Sequence, residues 1–352
     1  MRLNNKNKKV LFILYCVRLS LPLQKEIIMW KIYNSLIPDF IGTIAAAPAM
    51  QRLKDVGMHC GCEYTSFPMF TGLDKYSRYK HSVGCALIVW RFTQDKRQTI
   101  AALLHDIATP TFAHVVDFLN GDHMKQESTE SGTATLIASS PEIMTNLRKW
   151  GIALEEVADY HQYPIADNDS PKLSADRLEY TLSNMVNYHI APMERVKHWF
   201  ESLNVGKNEE GEDELVFSDL KTAEAFSKAA LETSKIYVAD EDRFAMQTLA
   251  ELLKRHIEKG VLAVADLHKT ESEVIALLNG NEEAKRDWEQ FRALSHIHRG
   301  NHPGAKIVRS KKRYINPYVE GMGRVKELSD TYAQALNLFM ADPLDEPLWG
   351  EI

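Results

Sequence analysis

A histidine and an aspartate stand side by side at His105-Asp106, directly after the apolar run Ala101-Ala102-Leu103-Leu104. An imidazole nitrogen and a carboxylate oxygen form a mixed ligand set that divalent Mn, Fe, Ni, Co, Mg or Zn accepts. Neighbouring residues of a helix point about 100° apart, but a metal held between helices can be reached by both. The pair alone is a weak signal, because a packed histidine beside a helix-end aspartate has the same sequence.

Two further segments offer the same kinds of ligand. His81 lies upstream in Ser77-Arg78-Tyr79-Lys80-His81-Ser82-Val83-Gly84, which leads into an apolar helix, and Asp176 lies downstream in Ala175-Asp176-Arg177-Leu178-Glu179-Tyr180. Imidazoles and carboxylates of this kind can bind a divalent cation, and a bound dication lowers the pKa of water and neutralises phosphate charge.

An arginine lies close to two of these ligands, Arg78 before His81 and Arg177 after Asp176. A guanidinium binds phosphate oxygens by charge-assisted hydrogen bonds, which stabilise the charge of a transition state. The alternative for each arginine is a surface ion pair, and the sequence leaves it open.

The ordered pattern His…His-Asp…Asp resembles the HD superfamily of metal-dependent phosphohydrolases. Met50-Gln51-Arg52-Leu53-Lys54, Phe67-Pro68 and the segment from Ser77 to Gly84 look like one branch of it, the deoxynucleoside triphosphate triphosphohydrolases. That branch includes the bacterial dGTP triphosphohydrolases and the SAM-and-HD-domain dNTPase. The resemblance is clearest over residues 40–190, with a weaker echo in Leu267-His268-Lys269-Thr270-Glu271. It implies an all-α fold and a hydrolase that acts on phosphate ester or anhydride bonds.

The resemblance also implies roles for individual side chains. The metal ligands that it implies are His81, His105, Asp106 and Asp176. The residues that it places near the substrate are Arg78, Arg177 and Tyr180, with His59 near the sugar or base. The residues for the catalytic step are Asp106, which also orients the attacking water, His114, Asp117 and Glu130, with His123 as a further candidate at the mouth of the site.

The chain departs from the triphosphohydrolase pattern at two positions. Thr109 and Thr129 stand where those enzymes carry histidines, and a threonine hydroxyl does not transfer protons near neutral pH as an imidazole does. The favoured hypothesis is therefore a metal-dependent phosphohydrolase for a nucleotide-like substrate. A dNTP triphosphohydrolase that releases triphosphate is the first alternative, and a catalytically weakened nucleotide-binding regulatory or scaffold protein is the second.

The elements that must position these residues are predicted to be helices. Apolar residues recur at helical spacing in 86–90, 100–107 and 244–264, whereas alternating strand patterns are rare. Thr109-Pro110 predicts the end of the helix that carries His105, and Ser140-Pro141 predicts a helix start. The fold class is therefore an all-α, HD/PDEase-like helical domain with a smaller, mainly helical C-terminal region. A short β element is possible at 214–217 or within 305–319.

Composition suggests three parts to the 352 residues. Residues 1–28 read as a poorly ordered N-terminal extension, residues 29–203 as the phosphohydrolase core, and residues 214–352 as a helical region packed on it. The acidic, glycine-containing stretch between Asn204 and Asp213 marks the predicted boundary. The apolar run from Val10 to Val17 is too short to span a bilayer.

Net charge and cysteine content indicate which partners and which cellular location to expect. A net charge of -6 argues against a nucleic-acid partner, and four irregularly spaced cysteines predict reduced thiols in a cytoplasmic protein. The expected partner is a phosphorylated small molecule of the nucleotide type, with no membrane. Relatives often assemble, so a homo-oligomer stays open.

Overall fold

The computed structural model describes residues 29–119 and 132–352. Of the residues that the structure describes, 57% lie in helices and 9% in strands. The strands form two small sheets, so the all-α prediction with one short β element understates the β content. The N-terminal extension 1–28 and the predicted positions His123, Thr129 and Glu130 lie outside the described residues.

The α-helices that lie wholly within the described ranges have between 4 and 19 residues. Their bounds are α1 Asp39–Ala45, α2 Pro48–Arg52, α3 Arg78–Thr93, α4 Lys96–Leu104, α5 Val115–Leu119, α6 Thr133–Ala138, α7 Pro141–Trp150, α8 Ala175–Asn187, α9 Met193–Glu201, α10 Leu220–Ile236, α11 Asp240–Glu258, α12 Glu271–Asn279, α13 Glu282–Ala293, α14 Val325–Leu328 and α15 Asp330–Ala341.

Side-chain caps set the starts of the three helices that matter most for the site. Ser77 accepts a hydrogen bond from the Lys80 amide before α3, and Asp95 and Ser174 cap α4 and α8 in the same way. Such caps satisfy amides that have no partner inside the helix. Helix α7 begins at Pro141 as the sequence predicted, since proline needs no amide donor there.

Two sheets account for the strands β1 Leu203–Lys207, β2 Asp213–Phe217, β3 His296–Arg299, β4 Lys306–Ile307, β5 Tyr318–Val319, β6 Gly323–Arg324 and β7 Pro347–Glu351. The first sheet has the order β1-β2-β5-β6 and the second the order β3-β7-β4. Strands β1 and β2 pair antiparallel, with Leu203 opposite Phe217. The acidic stretch 204–213 is therefore mostly strand and hairpin turn, although its composition resembled a linker.

Two clusters of buried apolar side chains hold the helices together. The first packs α3, α4 and α8 around residues such as Leu87 and Leu182, and also takes in Phe226 from after the hairpin. The second packs α11 to α13 against Phe112 and other residues of the first half. Each cluster thus contains residues that precede the stretch 204–213 and residues that follow it. The division of the chain into three parts stays a prediction.

None of the helices in the described ranges has the length and apolar composition that crossing a membrane requires.

Candidate metal centre

Helix α3 carries the first group of site residues on one face. Arg78, His81 and Cys85 follow one another at three- and four-residue spacing, which brings side chains to the same side of a helix. All three are buried, as is the apolar body of the helix from Val83 to Val89. The helix is therefore a rigid support, and its first turn points into the interior.

His105 and Asp106 lie where α4 ends. The sequence predicted that this helix continues to Thr109-Pro110, but it ends at Leu104 with His105 as its cap residue. His105 Nδ1 lies 2.7 Å from the carbonyl oxygen of Ala102. A carbonyl only accepts, so Nδ1 carries the proton and Nε2 keeps its lone pair for another partner. His105 itself keeps helical backbone angles, with a φ of -56° and a ψ of -40°.

Asp176 lies in the first turn of α8, where a carboxylate is favoured by the helix dipole. Its Oδ1 atom lies 2.9 Å from His81 Nε2 and 3.7 Å from His105 Nε2. Oδ2 of Asp106 lies 3.5 Å from His105 Nε2 and 4.0 Å from His81 Nε2. The four side chains that the sequence predicted as metal ligands thus converge from three segments of the chain.

This donor set fits a divalent cation. Donors about 2.1 Å from one ion and at right angles to each other lie about 3.0 Å apart, so the observed separations need only small adjustment. Both carboxylates are anionic, because despite burial the pKa of Asp106 is held far below its ordinary value by Arg78 and His105, and that of Asp176 by His81. Two anions and two imidazoles are a donor set suited to such an ion.

Cys85 is a rival donor that the sequence analysis missed. A ligand atom from each of His81, Cys85, His105 and Asp176 lies within 4.8 Å of the others. Burial, however, raises the pKa of the Cys85 thiol, and its Sγ is equally far, 3.6 Å, from both ring nitrogens of His81. The Asp106 carboxylate is already an anion with Oδ2 3.5 Å from His105 Nε2, which favours it as the fourth donor and leaves Cys85 as the alternative. The four-residue spacing from His81 was the signal that could have revealed it.

Arg78 and Thr109 hold the Asp106 carboxylate in place. Arg78 Nη1 lies 3.1 Å from Asp106 Oδ2, and the Thr109 hydroxyl donates to Asp106 Oδ1 at 2.7 Å. The Arg78 Nε atom is buried and has no hydrogen-bond partner among the described residues. Arg78 therefore has donor capacity left for an anion beside Asp106.

Arg177 lies differently from the phosphate-binding prediction. Its Nε donates to the carbonyl oxygen of Lys172 at 2.7 Å, its Nη1 pairs with Asp167 Oδ1 at 3.0 Å, and its Nη2 donates to Asn168. The guanidinium thus joins α8 to the loop before it. A phosphate contact from Arg177 stays a prediction, and it would have to displace one of these partners.

A cavity of about 230 Å³ opens beside the converging donors. It brings together most of the side chains that the sequence singled out, namely His59, Arg78, His81, His105, Asp106, His114, Asp176, Arg177 and Tyr180. Asp117 does not line the cavity and is fully buried. Residues 311–313 are three consecutive basic residues, and two of them, Lys311 and Arg313, also line the cavity.

His114 enters the cavity from a strained turn. Phe112 and Ala113 before it have φ values of 60° and 45°, a left-handed conformation that costs residues with side chains about 1–3 kcal/mol each. The Thr111 amide donates to the carbonyl oxygen of Leu267 at 2.7 Å and anchors the turn. His114 Nδ1 lies 2.8 Å from Asp117 Oδ2, so the carboxylate fixes the imidazole, while burial lowers the His114 pKa.

The cavity lining also includes a second group of residues, called the inner end below: Met58, His59, Cys60, Asn184, Tyr188, Tyr237, Asp242 and Met246. His59 Nε2 and Asn184 Oδ1 are buried there without hydrogen-bond partners among the described residues. Burial lowers the pKa of His59 to about 4, so its ring is neutral at pH 7. The Asn184 side chain lies close enough to His59 to oppose part of the effect of burial on the His59 pKa, so the two atoms form a polar pair without a well-aligned hydrogen bond.

Sequence reasoning missed most of this inner end. Asn184 could have been found, because Asp176, Tyr180 and Asn184 follow at four-residue spacing on α8. Tyr237 and Asp242 come from α10 and α11 regions with no motif to mark them. Only the packing of α11 against the rest of the chain brings them to the cavity.

No known protein-family model matches the chain. Over 276 residues it is 28% identical to the uncharacterized protein YdhJ of Bacillus subtilis, covering 77% of this chain and 78% of that protein. Over 189 residues it is 30% identical to the metal-dependent phosphohydrolase cns2 of Cordyceps militaris, covering 53% of this chain and 52% of the fungal protein.

Solved structures share the fold at low sequence identity. A phosphohydrolase from Bacteroides thetaiotaomicron has a TM-score of 0.60 at 15% identity, over 90% of this chain and 96% of that one. A hypothetical protein from Aquifex aeolicus has a TM-score of 0.59 at 16% identity, over 89% and 92% of the two chains. These structures show the fold alone, and it is the fungal relative, named as a metal-dependent phosphohydrolase, that supports this superfamily. The triphosphohydrolase branch stays a prediction.

Proposed function

We propose that the protein is a metal-dependent phosphohydrolase that cleaves a phosphoester or phosphoanhydride bond of a nucleotide-like substrate. One observation carries the proposal: two imidazoles and two carboxylates converge beside Arg78 at one end of a single cavity. The likeness to a protein named as a metal-dependent phosphohydrolase supports the same reaction.

His81, His105, Asp106 and Asp176 would hold the metal. A divalent cation bound there supplies positive charge for the phosphate and a nucleophile from water at neutral pH. Asp106 is fixed by Arg78 and Thr109, so its carboxylate keeps one orientation while the substrate binds. Its position between a cation site and an arginine also suits it to orient the attacking water.

Arg78 is the favoured phosphate-binding residue. Its buried Nε has no hydrogen-bond partner among the described residues, and its Nη1 donates to Asp106, one of the metal donors. Lys311 and Arg313 line the same cavity and add positive charge to it. This arrangement would neutralise phosphate oxygens from two sides, while Arg177 keeps the loop at Asp167 and Asn168 in place.

Proton transfer is the proposed role of His114. Its lowered pKa keeps the ring neutral near pH 7, and Nδ1–H donates to Asp117. That leaves Nε2 as the atom able to accept a proton, and the Asp117 carboxylate stabilises the imidazolium that results. The strained turn at Phe112 and Ala113 aims this ring into the cavity.

The inner end of the cavity supports a nucleotide-like substrate. It combines the rings of Tyr188 and Tyr237 with the unpartnered polar atoms of His59 and Asn184. Aromatic faces stack on a flat group, whereas fixed donors and acceptors select its edge or a sugar hydroxyl. A plain inorganic phosphate would leave this half of the cavity unused.

The triphosphohydrolase alternative shares this cavity but differs in its proton donors. Thr109, which replaces a histidine of that branch, donates its hydroxyl to Asp106 and so serves to position the carboxylate. A threonine cannot protonate a leaving group near neutral pH. Cleavage of a monoester or a terminal phosphate therefore fits the available groups better than release of intact triphosphate.

The test is elemental analysis of the purified protein and of Asp106→Ala, each screened against nucleoside mono-, di- and triphosphates and simple phosphomonoesters. Near-stoichiometric metal and phosphate release, both lost in the variant, are the expected results. Release of inorganic triphosphate would favour the triphosphohydrolase alternative. A nucleotide that raises the melting temperature without being consumed would favour a regulatory protein, and a metal-free wild type after reconstitution would refute the proposal.

A further inference from the structure

Glu179 lies directly behind His81, on the side away from the other metal donors. It follows Asp176 by one turn of α8 and is only 2% exposed. Glu179 Oε2 lies 2.7 Å from His81 Nδ1, while His81 Nε2 lies 2.9 Å from Asp176 Oδ1. The imidazole therefore bridges two carboxylates of one helix, one at the metal centre and one behind it.

Several hydroxyl groups fix the Glu179 carboxylate. Tyr76 donates to Oε2, the atom that also faces His81. Ser183 donates to Oε1 at 2.8 Å, and Tyr33 reaches the same oxygen at 3.4 Å. An ionised carboxylate only accepts hydrogen bonds, so this set of donors suits a buried anion whose two oxygens are held in fixed directions.

Gly84 provides the space for this carboxylate. It lies inside α3, where glycine weakens a helix relative to alanine. A Cβ atom at Gly84 would lie 2.6 Å from both Cγ and Oε1 of Glu179, too close for any side chain. The glycine is therefore explained by close approach of Glu179 and not by an unusual backbone conformation.

The two histidines of the metal centre are thus supported unequally. His105 Nδ1 donates to a neutral carbonyl, that of Ala102, whereas His81 Nδ1 donates to a carboxylate. An anion behind an imidazole fixes the tautomer that leaves Nε2 free and makes that nitrogen a stronger electron donor. No motif of the sequence marked Glu179 for this role.

We propose that Glu179 is the positioning residue that holds His81 in its metal-binding orientation and sets the affinity of the site for a divalent cation. The inference rests on the proposed function, because it needs His81 to be a metal ligand. It does not require that any particular phosphate compound is the substrate.

The experiment measures Mn²⁺ affinity by calorimetric titration of the full-length, metal-stripped protein. Glu179→Gln keeps the shape and removes the charge, and we expect Mn²⁺ to bind about 10- to 100-fold more weakly. Gly84→Ala keeps the charge but displaces the carboxylate, and it should weaken binding in the same direction. Because one variant alters α8 and the other α3, a folding failure of either leaves the other as a test.

Glu214→Gln is the matched control. Glu214 is a fully buried glutamate on β2 that pairs with Arg324 at 2.6 Å and does not line the cavity. We expect this variant to melt at a lower temperature than the wild type but to bind Mn²⁺ equally well. A general loss of stability from a buried charge is thereby separated from an effect on the metal centre.

The outcomes separate the two proposals. Mn²⁺ affinities of Glu179→Gln and Gly84→Ala equal to that of the wild type would overturn the role of Glu179 and leave the proposed function standing. Wild-type protein that binds Mn²⁺ but hydrolyses no phosphate compound would refute the proposed function, while the affinity ratios would still decide the role of Glu179. A wild type that binds no divalent cation would refute both.

Discussion

The two groups of residues that line the cavity differ in charge and in hydrogen bonding. At the metal end, charged groups face one another within 4.0 Å, and every one of the four donor side chains has a partner among the others. At the inner end, His59 Nε2 and Asn184 Oδ1 are buried and lack hydrogen-bond partners in the described parts of the chain. The first group of atoms suits a cation, and the second suits the hydrogen-bonding groups of a ligand.

This difference separates reaction from recognition. The metal end gathers charge, which acts on any phosphate group, whereas the inner end offers neutral polar atoms between aromatic rings, which select the rest of the molecule. Helix α8 contributes to both ends, with Asp176 at one and Asn184 at the other. Substitutions along one helix can therefore test the division.

The largest effect is expected from Asp176→Asn, which keeps the shape of the side chain but removes a negative ligand. Loss of an outer partner of a metal site costs about 10- to 100-fold, so loss of a ligand should lower turnover by more than about 100-fold. Metal content, measured by elemental analysis, should fall with it. If the variant kept both its metal and its turnover, Asp176 would not be a metal ligand.

Arg78→Gln should lower kcat by about 100-fold while the metal stays bound, because a fixed donor to the developing phosphate charge is lost. Arg177→Gln is the comparison. It should lower the melting temperature by releasing Asp167 and Asn168, with a much smaller effect on kcat. Equal losses of kcat in the two variants would mean that both arginines bind phosphate, as the family resemblance implies.

His59→Phe addresses the inner end alone. Phenylalanine keeps an aromatic ring against Tyr76 and Tyr188 but removes Nε2, which has no partner among the described residues. We expect KM to rise about 10-fold, the value of one lost hydrogen bond to the substrate, with kcat unchanged. The melting temperature of the ligand-free protein should not fall. A fall in kcat at constant KM would place His59 in the reaction.

Glu63, in the loop that carries His59, should affect stability and leave the metal centre unchanged. Glu271 Oε1 accepts the Gly57 amide at 2.7 Å, and burial together with Glu271 raises the pKa of Glu63 to about 8. Glu63 is thus protonated in the folded protein at pH values where the unfolded chain, with a pKa near 4.5, has lost the proton. Its contribution to stability is complete below pH 4.5 and is lost as the pH rises through 8.

Glu63→Gln should remove this pH dependence. The free energy of unfolding of the wild type should decline between pH 5 and 8 by a few kcal/mol more than that of the variant, as urea unfolding at several pH values would measure. Parallel curves for the two proteins would mean that Glu63 ionises normally. The Mn²⁺ affinity should be unaffected in either case, because Glu63 does not line the cavity.

The residues of the metal end were predicted because their order along the chain resembles that of the HD superfamily, and short local signals predicted the helices beside them. His105-Asp106 follows an apolar helix, and His81 and Asp176 each follow a serine that caps a helix. Capping and helical spacing act over a few residues, so they can be read without knowledge of the fold. The same local logic predicted the start of α7 at Pro141 and the mostly helical composition of the chain.

The sheets show the limit of prediction from local patterns: a short β element at 214–217 was predicted, but its pairing with other strands was not. The acidic stretch after Asn204 has the composition of a linker, yet it pairs with β2 in a hairpin, and β2 takes Val319 of β5 as its parallel neighbour. Strand pairing depends on partners distant in sequence, so no local pattern announces it. The end of α4 at Leu104 was not predicted for a related reason. Arg52, from a distant part of the sequence, donates hydrogen bonds to the carbonyl oxygens of Ile107 and Thr109 in the turn that follows the helix.

The sequence by itself determined, through its resemblance to the HD superfamily, which side chains could bind a cation, and it determined that the chain is mostly helical because helix propensity, capping and spacing are local. Only the tertiary structure decided that Arg78 keeps a free donor while Arg177 is engaged by a loop, that Glu179 supports His81, and that His59 meets Asn184 across the cavity. Each of these facts depends on the distance between atoms far apart in the chain, and packing of the buried clusters sets that distance.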